Sequence, residues 1–182
     1  MQLETLQDVF VDQVKDLYSA ENQIVKALPK MAKSATSPDL KQAFEEHLEQ
    51  TRTHVERLDR VMDILKVTGK GKKCTGMEGL LEEAKETLEM KGSPAAMDAA
   101  IIADAQRVEH YEIAAYGTVC SYAKQLGLRD AMELLKETLQ EEKQTDKRLT
   151  EIASRVNLEA AEAEPASRTV SSRGGQKTRV AR

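Results

Sequence analysis

Glutamate and histidine side chains interrupt the apolar faces of several helix-type segments, and these residue types can hold a metal ion. In RVEHYEIAAYGTVCSYAK, residues 107–124, the apolar residues recur at helical spacing, yet Glu112 falls on their stripe. Glu21, His54 and Glu142 fall on similar stripes in three other segments. An unpaired ionised carboxylate in a core costs several kcal/mol or more. Carboxylates that share one core therefore need protons, cations or a bound metal.

Carboxylate oxygens combined with an imidazole favour iron or manganese over a metal that prefers thiolates. In helical bundles with a di-metal site, two helices give one glutamate each, and the other two each give a Glu-x-x-His motif. Glu21 and Glu112 fit the role of the single glutamates. The pattern therefore predicts iron, as a di-iron centre, or manganese as the cofactor.

The two Glu-x-x-His motifs are each half present. The segment Thr51–His54 has the histidine without the glutamate, and Glu142–Thr145 has the glutamate without the histidine. Glu109 and Asp146, which lie one turn from other candidates, are potential substitutes, and His47 could also contribute. The predicted metal ligands are Glu21, His54, Glu109, Glu112, Glu142 and Asp146. The alternative is that these side chains are satisfied by hydrogen bonds to neighbouring helices.

Four long helices must position these residues. Apolar periodicity predicts helices from about Leu3 to Ala35, Ser37 to Val67, Ser93 to Leu126 and Asp130 to Val156, with a short helix over 77–90. Ser-Pro pairs at 37–38 and 93–94 are typical of helix starts, and Gly127 is typical of a helix end.

The two halves of the chain resemble each other. An offset of 91 residues aligns Glu21 with Glu112 and Leu48 with Leu139. Two helical hairpins joined by a long crossover describe a ferritin-like four-helix bundle. We therefore predict an all-α fold, a ferritin-like four-helix bundle over residues 1–159 with a short extra helix in the crossover.

Composition narrows the class of protein further. Aromatic residues make up only 3% of the chain, and charged residues make up 32%. We expect no membrane span, because no apolar run reaches 18 residues, and no signal peptide. Two cysteines, Cys74 and Cys120, form no disulfide framework and suit a reducing compartment. These features predict a cytoplasmic protein.

The last residues differ in charge from the rest. The stretch 165–182, PASRTVSSRGGQKTRVAR, carries five Lys and Arg and no acidic residue, although the whole chain has a net charge of −4. We predict that residues 160–182 form a disordered basic tail. Without interleaved aromatics, this tail predicts at most a weak, salt-dependent contact with nucleic acid, so nucleic acid is not an expected partner.

Four stretches in order carry a resemblance to a known family. LYSAENQIVKALPKMAKSA, KKCTGMEGLLEEAKE, VEHYEIAAYGT and LQEEKQTDKRL resemble the YciE/YciF-type bacterial stress proteins over about residues 4–157. The resemblance implies a ferritin-like bundle, a homodimer, a role in stress and, through the related rubrerythrins, a di-metal site. The rubrerythrin-like pattern has two carboxylates on the third long helix, which Glu109 and Glu112 match. Thr51 and Thr145 depart from it.

Two hypotheses for function follow, and they leave open whether the chain is an enzyme. In the first, the bundle binds iron or manganese and handles an oxidant such as peroxide. In the second, it is a non-catalytic, stress-induced structural or interaction protein with a degenerate or empty metal site. An iron-storage cage is less favoured, because nothing in the sequence indicates a large shell.

Overall fold

The computed structural model of the protein describes residues 3–68 and 72–162, and these residues form five α-helices. The helices are α1 (Leu6–Ser34), α2 (Pro38–Leu65), α3 (Thr75–Glu89), α4 (Pro94–Gln125) and α5 (Arg129–Glu162). The helices α1 and α2 pack as one hairpin and α4 and α5 as a second, with α1 beside α4 and α2 beside α5. The predicted all-α four-helix bundle is confirmed, and α3 is the predicted extra helix of the crossover.

The helix ends follow the local sequence. Thr5 and Asp8 form a reciprocal capping box at the start of α1. Ser37 and Ser93 cap α2 and α4, each followed by proline at the first helical position, as the Ser-Pro pairs predicted. Gly127, with φ of +71°, lies in the turn between α4 and α5, where a residue with a Cβ would be strained.

The crossover helix is fastened to the bundle at its first residues. The Cys74 backbone N–H donates to Ser19 Oγ at 2.9 Å, and Gln23 Nε2 donates to the Cys74 carbonyl at 3.0 Å. Cys74 Sγ also lies 2.9 Å from the hydroxyl of Tyr111, which donates to Asp16 at 2.9 Å. These bonds hold α3 against α1 and α4, on one side of the bundle.

The apolar core has two parts, which we call the crossover half and the terminal half. The crossover half includes Ile24, Leu28, Met31, Phe44, Met77, Ala84, Ile101, Val108 and Ile152. The terminal half includes Phe10, Val14, Leu17, Leu58, Met62, Tyr116, Val119 and Leu135. The predicted metal ligands of α1, α2, α4 and α5 fall between these two parts along each helix, so a polar layer divides the core.

The ends of the described chain bear on two predictions. The helix α5 continues to Glu162, three residues beyond the predicted end of the bundle at 159. The rest of the predicted basic tail, 163–182, lies outside the described residues. Within residues 3–68 and 72–162, no helix has the length and hydrophobicity to cross a membrane.

Candidate metal centre

Six buried side chains from all four long helices meet in the polar layer, and we call them the Glu/His cluster. They are Glu21 of α1, His47 and His54 of α2, Glu109 and Glu112 of α4, and Glu142 of α5. None of the six is more than 4% exposed. The helical spacing of the apolar residues on either side turns each of them inward, because a residue on the apolar stripe faces the core.

One group of donor atoms surrounds His54. Its Nδ1 lies 2.9 Å from Glu142 Oε1 and 3.5 Å from Glu21 Oε1. Neighbouring donors around an ion with bonds of about 2.1 Å lie roughly 3 Å apart. The spacing of these three side chains therefore fits a metal ion.

A second group surrounds His47. Its Nε2 lies 3.3 Å from Glu109 Oε1 and 3.9 Å from Glu142 Oε2, and Glu112 completes the group. In each group, one donor atom per residue can be chosen so that all of them lie within 4.8 Å of one another. Glu142 belongs to both groups and joins them through its two oxygens.

Thr145 orients the ring of His47. Its hydroxyl donates to the Glu141 carbonyl at 3.1 Å and lies 3.4 Å from His47 Nδ1. A hydroxyl has one proton, so an oxygen that donates to Glu141 accepts from the Nδ1–H of His47. This tautomer leaves His47 Nε2 with a free lone pair, facing the carboxylates.

The cluster contains most of the buried polar atoms that lack a hydrogen-bond partner in the described part of the chain. Nine such side-chain atoms occur, and eight belong to the cluster: Glu21 Oε2, His47 Nε2, His54 Nδ1, Glu109 Oε2, both oxygens of Glu112 and both oxygens of Glu142. His54 Nδ1 and Glu142 Oε1 are among them although they form an ion pair at 2.9 Å, because the contact is not aligned as a hydrogen bond. An unpartnered buried polar group is costly, and native proteins contain few of them. Their concentration in one layer is the signature of a ligand site.

Burial and mutual repulsion perturb the carboxylates in the absence of a cation. Burial raises the pKa of Glu109 and of Glu112 well above the ordinary value of 4.5, and the charge of Glu142 raises both further. Burial likewise raises the pKa of Glu21. In the metal-free protein, burial and the neighbouring negative charge therefore favour the protonated form of these three carboxylates.

The two histidines respond in opposite directions. Burial acts against the charged form of His54, but the adjacent Glu142 and Glu21 outweigh it and raise its pKa to about 10. Burial lowers the pKa of His47. Burial acts to raise the pKa of Glu142, but the close contact with the adjacent His54 and the charge of that ring outweigh it and lower that pKa below the ordinary value. Without metal, the His54–Glu142 pair is thus the charged centre of the cluster.

A second layer of polar residues supports His54. Its Nε2 lies 2.9 Å from Glu141 Oε2, and Arg57 donates to the same carboxylate through both terminal nitrogens, with an Nη2–Oε1 distance of 3.0 Å. A metal-bound histidine commonly donates its other ring N–H to a carboxylate, which orients the ring. The Arg57–Glu141–His54 chain has this arrangement.

Tyr116 borders the other side of Glu21. Its side chain is fully buried, and its hydroxyl donates to Glu21 Oε1. Burial raises the pKa of Tyr116 well above 10, so its proton is retained at neutral pH. This bond leaves only the second oxygen of Glu21 unpartnered.

The structure brings together five of the six predicted ligands, Glu21, His54, Glu109, Glu112 and Glu142. The sixth does not join them. Asp146 accepts from Gln106 at 3.0 Å and lies 3.4 Å from Nε2 of the exposed His110. His47, which the sequence suggested only as a contributor, takes the remaining position. The sequence did not indicate Glu141, because it is adjacent to Glu142 and lies beside the apolar stripe.

The donor set fits a di-metal site. Four carboxylates and two imidazoles are the same set that two single glutamates and two Glu-x-x-His motifs supply in ferritin-like bundles. Here Glu109 stands in for the glutamate absent at Thr51, and His47 for the histidine absent at Thr145. His47 lies on α2, and its ring contacts Thr145 of α5. The imidazole of His47 therefore occupies the space beside Thr145, where the motif would otherwise have a histidine.

The fold and the buried donors define the class as a ferritin-like four-helix bundle with a layer of residues able to hold metal. The chain belongs to the family described as Domain of unknown function (DUF892), whose profile matches residues 5–162. The predicted YciE/YciF-type membership is confirmed. Protein YciF of Escherichia coli K12 is 49% identical over 164 residues, which cover 88% of this chain and 98% of YciF.

Solved structures agree with this assignment. The E. coli stress protein YciF matches with a TM-score of 0.83 and 48% identity, covering 86% of this chain and 99% of YciF. YcfI from Rhodopseudomonas palustris matches with a TM-score of 0.79 and 43% identity, covering 82% of this chain and 95% of YcfI. A dodecameric thioferritin from Bacteroides fragilis, 18% identical, has a TM-score of 0.65 over 87% of this chain and 92% of its own, which supports the ferritin-like fold alone.

Proposed function

We propose that the protein binds two ions of iron or manganese in the Glu/His cluster and handles an oxidant there. The observation that carries this proposal is the set of eight buried donor atoms without hydrogen-bond partners, contributed by four carboxylates and two imidazoles. Iron and manganese accept both kinds of ligand.

Two ions fit the cluster better than one. Glu21, His54 and Glu142 form one group of donors, and His47, Glu109, Glu112 and Glu142 form the other. With Glu142 shared, each ion receives one imidazole and at least two carboxylates. The positive charge would also offset the repulsion that raises the pKa of Glu112 in the metal-free protein.

A pair of Fe(II) or Mn(II) ions held in the cluster would supply the two electrons that reduce hydrogen peroxide to water, one from each ion. The protein's residues hold that chemistry in place. Glu141, fixed by Arg57, accepts a hydrogen bond from the Nε2–H of His54 and keeps Nδ1 directed at the carboxylates. Tyr116 holds one oxygen of Glu21 by a hydrogen bond and keeps its own proton. His54, Glu21 and Tyr116 are fully buried, so the layer excludes bulk water from these three groups.

The setting of this activity is also part of the proposal. YciF is described as a stress protein, and with 49% identity over most of both chains we extend a stress-associated role to this one. The free thiols of Cys74 and Cys120 fit a reducing cytoplasm. We retain a homodimer as the expected assembly, since paired copies are the commonest oligomers. Light scattering on the purified protein measures its mass directly.

Metal content per chain tests the site. The protein is reconstituted anaerobically with Fe(II) or Mn(II), desalted and analysed by mass spectrometry, beside Glu142→Gln and Asp146→Asn. We expect two ions per chain in the wild type and in Asp146→Asn, because Asp146 is bonded outside the cluster. Glu142→Gln should lose metal, because it removes a charged ligand from both groups.

Other outcomes contradict the proposal in distinct ways. One ion per chain would replace the di-metal centre by a single-ion site. A folded wild-type protein without metal would favour the second hypothesis, a non-catalytic structural or interaction protein with a degenerate site. Full metal content in Glu142→Gln would mean that the ions bind elsewhere. Loss of metal in Asp146→Asn would restore the original prediction for that residue.

A further inference from the structure

A small cavity lies beside the His47 end of the Glu/His cluster, beneath the crossover helix α3. Its volume is about 30 Å³, more than the about 10–15 Å³ that holds one water molecule. His47 and Glu109 form part of its inner wall, together with Asp104. The rest of its wall is apolar, with side chains such as Ile24, Phe44 and Val108.

A groove of about 330 Å³ lies on the outside of the same wall, between α1 and α3. Four residues line both the groove and the cavity: Ala27, Met31, Leu81 and Ala84. These side chains therefore form a wall that the two spaces share. Two of them are alanines, and a third is a flexible methionine, so the wall is thin and part of it can move by side-chain rotation alone.

The chemistry of this route selects what can pass. Lys26, Lys30 and Lys85 line the groove, and no carboxylate is among its described lining residues. A divalent cation is repelled by the lysines and is poorly solvated between apolar side chains. A small uncharged molecule meets neither barrier.

We propose that this route between α1 and α3 admits a small uncharged oxidant, dioxygen or hydrogen peroxide, to the His47 side of the cluster. The inference rests on the proposed function for its purpose, since an oxidant is useful there only if metal is bound. The route itself rests on the geometry of the wall. The two are therefore tested separately.

Dioxygen in the cavity is measured without any metal reaction. Dioxygen is paramagnetic and speeds the relaxation of nearby nuclei, so it reports its own position. Metal-free protein labelled with ¹³C in the valine methyl groups is studied under dioxygen pressure. We expect a larger enhancement at Val108, which lines the cavity but not the groove, than at Val119, which is buried in the terminal half. Equal enhancement at the two valines would overturn the proposal.

Substitution of the wall tests the route itself. In Ala27→Leu, the larger side chain fills the passage. Because Ala27 is half-buried, the surrounding side chains have room to accommodate the leucine without disrupting the fold. This variant should abolish the excess enhancement at Val108. Ala115→Leu, a half-buried alanine packed against the terminal half, adds the same side chain elsewhere and should leave the excess unchanged. An unchanged excess in both Ala27→Leu and the buried variant Ala84→Leu would contradict the proposed path.

The link to the metal centre has its own readout. In Fe(II)-loaded protein, Ala27→Leu should slow oxidation by dioxygen while the iron content stays equal to that of the wild type and Ala115→Leu. Equal oxidation rates at equal iron content would show that the oxidant enters elsewhere, and would leave the metal site intact. Absence of iron from the wild type would contradict the proposed function, while the relaxation experiment would still test the cavity.

Discussion

Both carboxylate oxygens of Glu112 are buried without a hydrogen-bond partner. Such a group destabilises the metal-free fold and is needed in the metal-bound one. Removing its charge should therefore stabilise the metal-free protein and weaken metal binding. Substitution of an ordinary core residue would not have these two opposite effects. Glu109 and Glu21 share this character in part, since each has one unpartnered oxygen.

The first prediction concerns Glu112→Gln in chelator-treated protein. Burial raises the folded pKa of Glu112 above its ordinary 4.5. The stabilisation that comes from this raised pKa is therefore fully present below pH 4.5 and is lost as the pH rises through the folded pKa, because the side chain then ionises in the core. Glutamine does not titrate, so the variant should gain stability relative to the wild type between pH 5 and pH 8, as measured by urea unfolding.

The same variant should bind less metal, and with metal present the wild type should be the more stable protein. A stability difference that does not change with pH would mean that Glu112 does not titrate in the folded state as its burial requires. Equal metal binding by the two proteins would remove Glu112 from the ligand set.

The second prediction concerns Glu141→Gln, which changes no proposed ligand. Glu141 joins Arg57 to His54, and an amide cannot pair with Arg57 and orient His54 equally well. Loss of such a supporting partner typically lowers metal affinity about 10–100-fold, and competition with a chelator of known affinity measures the change. Glu137→Gln is the matched control, because exposed Glu137 touches only Arg57, at 3.4 Å. Equal affinities for the two variants would contradict the supporting role.

The limits of residue-level prediction are visible at two positions. Glu21, Glu112 and Glu142 could be identified because each interrupts an apolar stripe. Glu141 could not, because its side chain lies beside the stripe, and its contact with His54 depends on how closely α5 approaches α2. Asp146 has suitable spacing along α5, but its side chain is bonded by Gln106 of α4 instead.

At the scale of the elements, the turn between α1 and α2 is held by a residue from a third helix. Asp98 of α4 is buried, and its two oxygens accept the backbone N–H groups of Thr36, at 2.8 Å, and Ser37, at 2.7 Å. These donors stand at the start of α2, where intrahelical partners are lacking. Asp98 thus joins the first hairpin to the second.

The third prediction is that Asp98→Ala destabilises the protein by about 2–6 kcal/mol, because two backbone donors lose their partner at about 1–3 kcal/mol each. Chemical unfolding measures the loss. Asp39→Ala is the control, because Asp39 lies in the first turn of α2 but is exposed and pairs with Arg155. Such a surface pair contributes about 0–1 kcal/mol. Similar losses in both variants would contradict a special role for Asp98.

The helices themselves were predictable because periodicity, Ser-Pro starts and a terminal glycine all agree along the chain. The half-present Glu-x-x-His motifs were harder to interpret. Sequence spacing compares residues on one helix, whereas the replacements at Thr51 and Thr145 come from Glu109 and His47 on other helices. Which helix supplies a missing ligand depends on packing, and packing is not encoded in the spacing of one motif.

At the scale of the whole molecule, the Glu/His cluster separates two apolar cores that each contain residues from all four long helices. In the metal-free protein the helices meet in this layer through repelling carboxylates. Two ions bound as proposed would join α1, α2 and α5 through one donor group and α2, α4 and α5 through the other. Metal binding should therefore stabilise the entire bundle and not a local segment.

The fourth prediction is a metal-dependent melting temperature. At a free metal concentration 100-fold above the dissociation constant, each ion that binds the folded state adds about 2.7 kcal/mol, which raises the Tm of a domain of this size by about 5–10 °C per ion. Calorimetry with Mn(II), and then with excess chelator, measures the shift and its reversal. Glu142→Gln should melt at one temperature in both conditions, whereas Asp146→Asn should respond like the wild type. A wild-type Tm that ignores metal would mean that the polar layer holds the four helices together without any ion.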